Sequence, residues 1–156
     1  MNILKYKSIV FDCDGVILNS NKIKTESFRY ACKDYPEIAI EEFINYHKSN
    51  GGISRYKKIK YFLDEIASKY IIEKKSNEYE NLLYRYSSFC RKSLLNSEIA
   101  KGLKNLRKIC MDIPWLIVSG GDQAELRMVF DHKGISKYFD GGIFGSPDIK
   151  DFIISR

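Results

Sequence analysis

Histidine is scarce in this sequence: only His47 and His132 are present, and the four cysteines (Cys13, Cys32, Cys90, Cys110) nowhere form a C-x-x-C pair. That excludes a structural zinc site, which needs four such ligands at short spacings. Apolar runs are short as well. None approaches the roughly 20 residues of a membrane span, and "MNILKYK" leads directly into a short strand rather than a signal peptide. The expectation is a cytoplasmic protein with reduced thiols and no membrane partner. Basic blocks are also absent. A net charge of +6 and a pI near 9.0 would suit a nucleic-acid binder. Yet the 26 Lys and Arg are spread among 20 acids, and no run reaches the length of an interaction tail. No nucleic-acid partner is expected; the excess charge gives a basic surface that attracts phosphorylated substrates. Repeats and low-complexity linkers are missing too, so 156 residues read as one domain, or a small domain with an insertion.

What is present builds a core. The chain is 44% hydrophobic, with eleven Tyr, nine Phe and one Trp, which excludes disorder. "SIVF" (residues 8–11) is a β-branched apolar run, as expected of a parallel strand buried on both faces. Helical spacing follows: Phe28, Ala31, Cys32 and Tyr35; Ile40, Phe43, Ile44 and His47; Ile59, Phe62, Leu63, Ile66 and Tyr70; Leu82, Leu83, Tyr86 and Cys90. "SNGGIS" (residues 49–54) interrupts that block with paired glycines. Ile99, Leu103, Leu106, Ile109 and Cys110 form another helical stripe, and after Pro114 "WLIVS" reads as a second buried strand. "DQAE" (residues 122–125) has the form of a capping box opening a helix that stops near Gly134. "GGIFGS" is a third strand, and "SPDIKDFIIS" opens a helix with Ser146 as N-cap and Pro147 at the first helical position. The fold class is therefore α/β: a parallel-sheet core at residues 1–20 and 97–156, with a helical insertion at 21–96.

The chemistry gathers at the ends of these strands, where open α/β sheets bind ligands. "FDCDG" puts Asp12 at the end of the first strand. A carboxylate there can attack phosphorus and split a hydrolysis into two easier displacements. Mg²⁺, which prefers oxygen ligands, would offset the repulsion between carboxylate and phosphate. A second carboxylate, Asp14, can protonate the leaving oxygen and then activate water. Gly15 allows a tight turn and a close approach to phosphate. The amides of Gly120 and Gly121, just before a helix, suit an anion-binding loop.

"FDCDGVILNS" resembles the first motif of the haloacid dehalogenase-like (HAD) superfamily, mostly Mg²⁺-dependent phosphatases and mutases. "WLIVSGG" is similar to the second motif and "FGSPDIK" to the third. The resemblance implies a Rossmann-like core. Asp12 would be the nucleophile and a metal ligand; Asp14 would be the acid/base, giving its backbone carbonyl to the metal. Ser119 would hydrogen-bond the phosphoryl group and Lys150 would neutralise charge. Cys13 falls where the family commonly has an apolar residue, so a buried, inert thiol is expected. The insertion occupies the place of a C1-type helical cap. "GGISRYKK" resembles a loop of β-phosphoglucomutase-like caps, which would give Arg55 an anionic group of the substrate to hold. Lys57 and Lys58 beside it read as solvated.

The family's fourth motif, an acidic stretch on a later strand, has no counterpart after Lys150. The expectation is a sheet incomplete at its C-terminal side with an exposed edge, weak metal affinity, and low activity of this chain alone. A shortened gene, a fragment, and completion by another subunit or a homo-oligomer all stay open. The leading function is a Mg²⁺-dependent phosphatase for a small phosphorylated metabolite, such as a sugar phosphate, working through an aspartyl-phosphate. A phosphomutase of the β-phosphoglucomutase type, related to phosphoglycolate phosphatases, is the alternative enzyme. A catalytically degenerate domain serving as a binding or assembly module is the alternative of another class.

Overall fold

A computed structural model describes residues 5–70 and 76–155. They form two compact units, one comprising Met1–Ser20 with Leu94–Arg156 and the other Asn21–Ser93.

The first unit is α/β. Strands β1 (Ile9–Phe11), β2 (Trp115–Asp122) and β3 (Gly142–Ser146) form a parallel sheet in the order β1-β2-β3. Ile9, Val10 and Phe11 stand opposite Trp115, Leu116 and Ile117. The β2–β3 register runs from Leu116↔Gly142 to Val118↔Phe144 and resumes at Asp122↔Ser146 after a shift. β2 is the central strand and alternates around a buried Trp115, Ile117 and Val118. Phe11 lies 4.7 Å from Trp115 between ring centroids, and Phe139 lies 5.2 Å from Phe130. Phe130 comes from helix α6 (Gln123–His132), which also turns Leu126 and Val129 inward. Asp122 caps that helix by accepting the Glu125 amide at 2.8 Å. Its C-terminal turn closes at Gly134, whose φ of +67° favours glycine.

Several expectations are corrected here. β1 is not buried on both faces: Val10, whose side chain points to the opposite face from Ile9 and Phe11, is 47% exposed. Ile99 does not belong to the helix that follows it. α5 spans Leu103–Ile109, while Ile99 bridges to Leu18 in antiparallel fashion. Ser146 is not an N-cap either. The last helix, α7, starts three residues after Pro147 and covers Lys150–Ile154. The Ser146 hydroxyl donates instead to the Gly120 carbonyl at 2.8 Å, and the Ser146–Pro147 peptide is cis.

Among the described residues the elements of the second unit are all helical: α1 (Asn21–Ala31), α2 (Glu37–Ser49), α3 (Arg55–Tyr61) and α4 (Glu78–Leu95). The stripe from Ile59 to Tyr70 is not one regular helix. After α3 the chain makes a π-helical turn at Phe62–Ile66 and a 3-10 turn at Ala67–Tyr70. These turns keep Phe62, Ile66 and Ala67 buried as the helix changes pitch. Phe28, Phe43, Phe62 and Tyr86 form the aromatic centre: Phe28 is 5.1 Å from Phe43 and 4.4 Å from Tyr86, and Phe43 is 4.7 Å from Phe62.

Candidate active site

Asp12 follows directly on β1, at the carboxyl edge of the sheet. Its Oδ1 accepts the Cys13 amide at 2.8 Å, and its Oδ2 lies 3.0 Å from Lys150 Nζ. Lys150 is the first residue of α7, so the turn after β3 delivers its ammonium to the end of β1. The carboxylate is 44% exposed and the ammonium 30%. An ion pair that open contributes only about 0–1 kcal/mol to stability. Its weight is positional: a cation that follows β3 stands at the carboxylate that directly follows β1.

The loop after Asp12 folds on itself. The Cys13 carbonyl accepts the amides of Ile17 at 2.9 Å and Leu18 at 3.1 Å. Gly15 has a φ of +74°, and its amide donates to the Leu18 carbonyl at 2.8 Å. That amide thus closes the loop rather than pointing to a phosphate. Asp14 Oδ1 accepts the Ser20 hydroxyl at 2.6 Å, and Ser20 is fully buried. Ser20 is a positioning residue that sequence reasoning missed. The available signal was a hydroxyl six residues beyond Asp14, at the end of the same motif.

β1 ends opposite Ile117, so Ser119, two residues further along β2, lies beyond the end of β1, on the side where Asp12 follows. Ser119 is fully buried, and its Oγ accepts the Gly121 amide at 3.0 Å. Gly120 and Gly121 lie within β2, not in a loop beyond it, because the strand runs on to Asp122 opposite Ser146. Their geometry demands small neighbours: a Cβ on Gly145 would sit 2.4 Å from the Gly121 carbonyl oxygen. Cys13 is fully buried, as a packing thiol would be.

Arg55 belongs to the helical unit, at the start of α3 behind the N-cap Ser54. It is only 5% exposed. Its Nη1 donates to Ser87 Oγ at 3.0 Å and its guanidinium lies 4.7 Å from the centre of the Tyr86 ring. Lys57 is exposed, but Lys58 is 2% exposed and so not solvated. Its Nζ donates to His47 Nδ1 at 2.8 Å and to the His47 carbonyl at 3.2 Å. An ammonium has no acceptor, so the His47 ring proton sits on Nε2, 3.2 Å from Thr25 Oγ1. The Thr25 hydroxyl in turn donates to the Asn21 carbonyl at 3.1 Å. This chain of donors ties α1, α2 and α3 together.

For a hard cation, the donors at the sheet edge are the Asp12 carboxylate and the Asp14 backbone carbonyl, both oxygens of the kind Mg²⁺ takes. Among the described residues no group of three or more His, Cys, Asp or Glu comes together around a metal position. No helix among the described residues is long and apolar enough to cross a membrane.

Residues 6–153 match the family model of haloacid dehalogenase-like hydrolases. The chain belongs to that family. Solved structures share its fold. One is described as a predicted phosphoglycolate phosphatase from Haemophilus somnus, with 18% identity, a TM-score of 0.69, and coverage of 93% of this chain and 66% of that one. Another is β-phosphoglucomutase from Clostridium difficile, with 20% identity, a TM-score of 0.66, and coverage of 92% and 63%. A third is the Bacillus subtilis HAD-hydrolase class protein YfnB in magnesium-bound form, with 16% identity, a TM-score of 0.63, and coverage of 90% and 65%. At such identities the likeness is one of fold. The HAD chain described here spans just under two thirds of the length of these three proteins. No curated protein sequence matches it.

Proposed function

We propose that this HAD chain carries the phosphoryl-transfer site of a phosphatase for small phosphorylated metabolites. The observation that supports this most directly is the 3.0 Å approach of Lys150 to Asp12 at the carboxyl edge of the sheet, beside the Ser20-held Asp14. Asp12 is the nucleophile: a carboxylate oxygen bonds to phosphorus as the bond to the substrate's ester oxygen breaks, leaving an aspartyl-phosphate. Asp14 gives its proton to the departing oxygen. It then takes one from the water that cleaves the acyl phosphate. Lys150 balances negative charge as the phosphoryl group arrives, and Ser119 contributes its hydroxyl from within β2. The Asp12 carboxylate and Asp14 carbonyl would hold a Mg²⁺ ion, which when bound supplies charge neutralisation for the phosphate oxygens. With one carboxylate and one carbonyl as its donors among the described residues, the ion would be weakly held.

The test is hydrolysis of p-nitrophenyl phosphate by the 156-residue chain across a Mg²⁺ titration, beside Asp12→Asn. The expected result is slow turnover that requires Mg²⁺, stops with chelator and is absent from Asp12→Asn. Turnover that survives Asp12→Asn would overturn the assignment. A folded chain with none at saturating Mg²⁺ would favour a binding module instead.

Phosphomutase chemistry is the second reading. The likeness of the fold to β-phosphoglucomutase from Clostridium difficile supports it. Interconversion of sugar phosphate isomers without phosphate release would select this reading.

A further inference from the structure

The α/β unit carries a concavity built from residues that none of the proposed phosphoryl-transfer steps use. A cleft of about 350 Å³ lies among Ile99, Leu103, Lys104, Lys133, Ile135 and Tyr138, at the small end of the range for small-molecule sites. No acid is found among the described residues that line it. Its two lysines differ in setting. Lys104 is exposed, whereas Lys133 is partly buried and donates to the backbone carbonyls of Leu95 at 3.0 Å and Ser97 at 2.6 Å. An ammonium has three N–H bonds, so one is left beyond those two. Burial lowers the Lys133 pKa, and no carboxylate offsets it. A cation in that condition gains from an anionic partner.

The walls are also preformed. Ile99 is bridged to Leu18, and the Ala100 amide donates to the Ile17 carbonyl at 2.9 Å. Gly102 and Gly134, at φ of +83° and +67°, close the turns on two sides of the cleft, with open space where a Cβ would stand. A wall fixed before binding spares the ligand the cost of ordering it.

We propose that this cleft binds a small organic anion: a carboxylate or phosphate group on a compact apolar body. The anionic group meets Lys133 and Lys104, and the body lies on Ile99, Leu103 and Ile135. Neither the chemistry at Asp12 nor the phosphatase reading is needed for this.

The test is a titration of the ¹⁵N-labelled full chain with benzoate and with phenylphosphonate, and with benzamide as the neutral counterpart. The expected result is saturable shifts at the amides of Gly102, Gly134 and Ile135 for at least one of the two anions and none for benzamide. Lys133→Met weakens binding about tenfold. Because Lys133 also braces the turn after α4, Lys104→Ala is the second variant: it keeps the melting temperature and weakens binding about threefold. Asp12→Asn leaves binding unchanged even where it abolishes turnover. The proposal is overturned if neither anion shifts those amides, if benzamide shifts them equally, or if both variants bind as tightly as the unmodified chain.

Discussion

At the scale of single residues, the same kind of contact has different consequences in different places. Asp140 and Lys150 each belong to a solvent-open ion pair, but only Asp140 also accepts an amide of the central strand. Asp140 Oδ1 accepts the Trp115 amide at 3.0 Å, and Oδ2 meets Arg107 at 2.8 Å. The Trp115 amide first, and then the Arg107 guanidinium, hold its carboxyl below the usual carboxylate range. A depressed folded pKa means stability that is fully present above the unfolded value and is lost as pH falls through the folded one. Asp140→Asn should therefore unfold at lower urea than the unmodified chain at neutral pH. The gap should close below about pH 4, and urea midpoints measured across a pH series would check this. A gap that stays constant with pH would contradict the assignment. Lys150 is the reverse case. Its pair with Asp12 is open to water and adds little to folding, so Lys150→Met should leave the urea midpoint within error. Its Mg²⁺-dependent turnover should drop by about 10²–10³-fold; a large stability loss with intact turnover would mark Lys150 as structural.

At the scale of elements, the strands and helices were legible wherever their sequence pattern did not depend on a distant partner. The capping by Asp122 could be read locally because donor and acceptor are three residues apart. The start of α7 could not, because the Ser146 hydroxyl is used by Gly120 on the neighbouring strand. The same holds for Gly120 and Gly121: their place in β2 follows from pairing with β3, which no local signal contains. Lys58 looks solvated by spacing alone, and its burial depends on His47 on another helix. The close approach of β2 and β3 has its own consequence. With the Gly121 carbonyl 2.4 Å from where a Gly145 Cβ would be, and Leu126 Cδ1 at 3.0 Å, neither backbone nor side chain has room. Gly145→Ala should destabilise the α/β unit by about 1–3 kcal/mol, read as a lower urea midpoint of Trp115 fluorescence. Gly51→Ala, with nothing within 4 Å, is the control and should change little. Equal midpoints for both variants would mean that the strands can part freely.

At the scale of the whole molecule, the order of the three motifs along the chain made both the fold and the pairing of Asp12 with Lys150 readable. A motif fixes strand order, and strand order brings the ends of β1 and β3 to one edge of the sheet. What composition could not give is how the core divides. The sequence shows four cysteines without a pattern, yet the fold sorts them into two pairs: Cys13 and Cys110 in the α/β unit, Cys32 and Cys90 in the helical unit. All four are thiols outside any disulfide and buried to 1% exposure or less. Burial also pushes the Cys32 thiol up, away from the reactive thiolate. None should react with iodoacetamide in the native protein. Reaction requires the unit holding the thiol to open, and its rate then follows that unit's own opening equilibrium. In rising urea, Cys13 and Cys110 should therefore become alkylated together, and Cys32 and Cys90 together, whether or not the two pairs coincide. Mass spectrometry of alkylated peptides separates the four sites. Rapid labelling of any thiol without denaturant, or a pair that splits, with Cys13 rising alongside Cys32 and ahead of Cys110, would refute the division of the core into these two units.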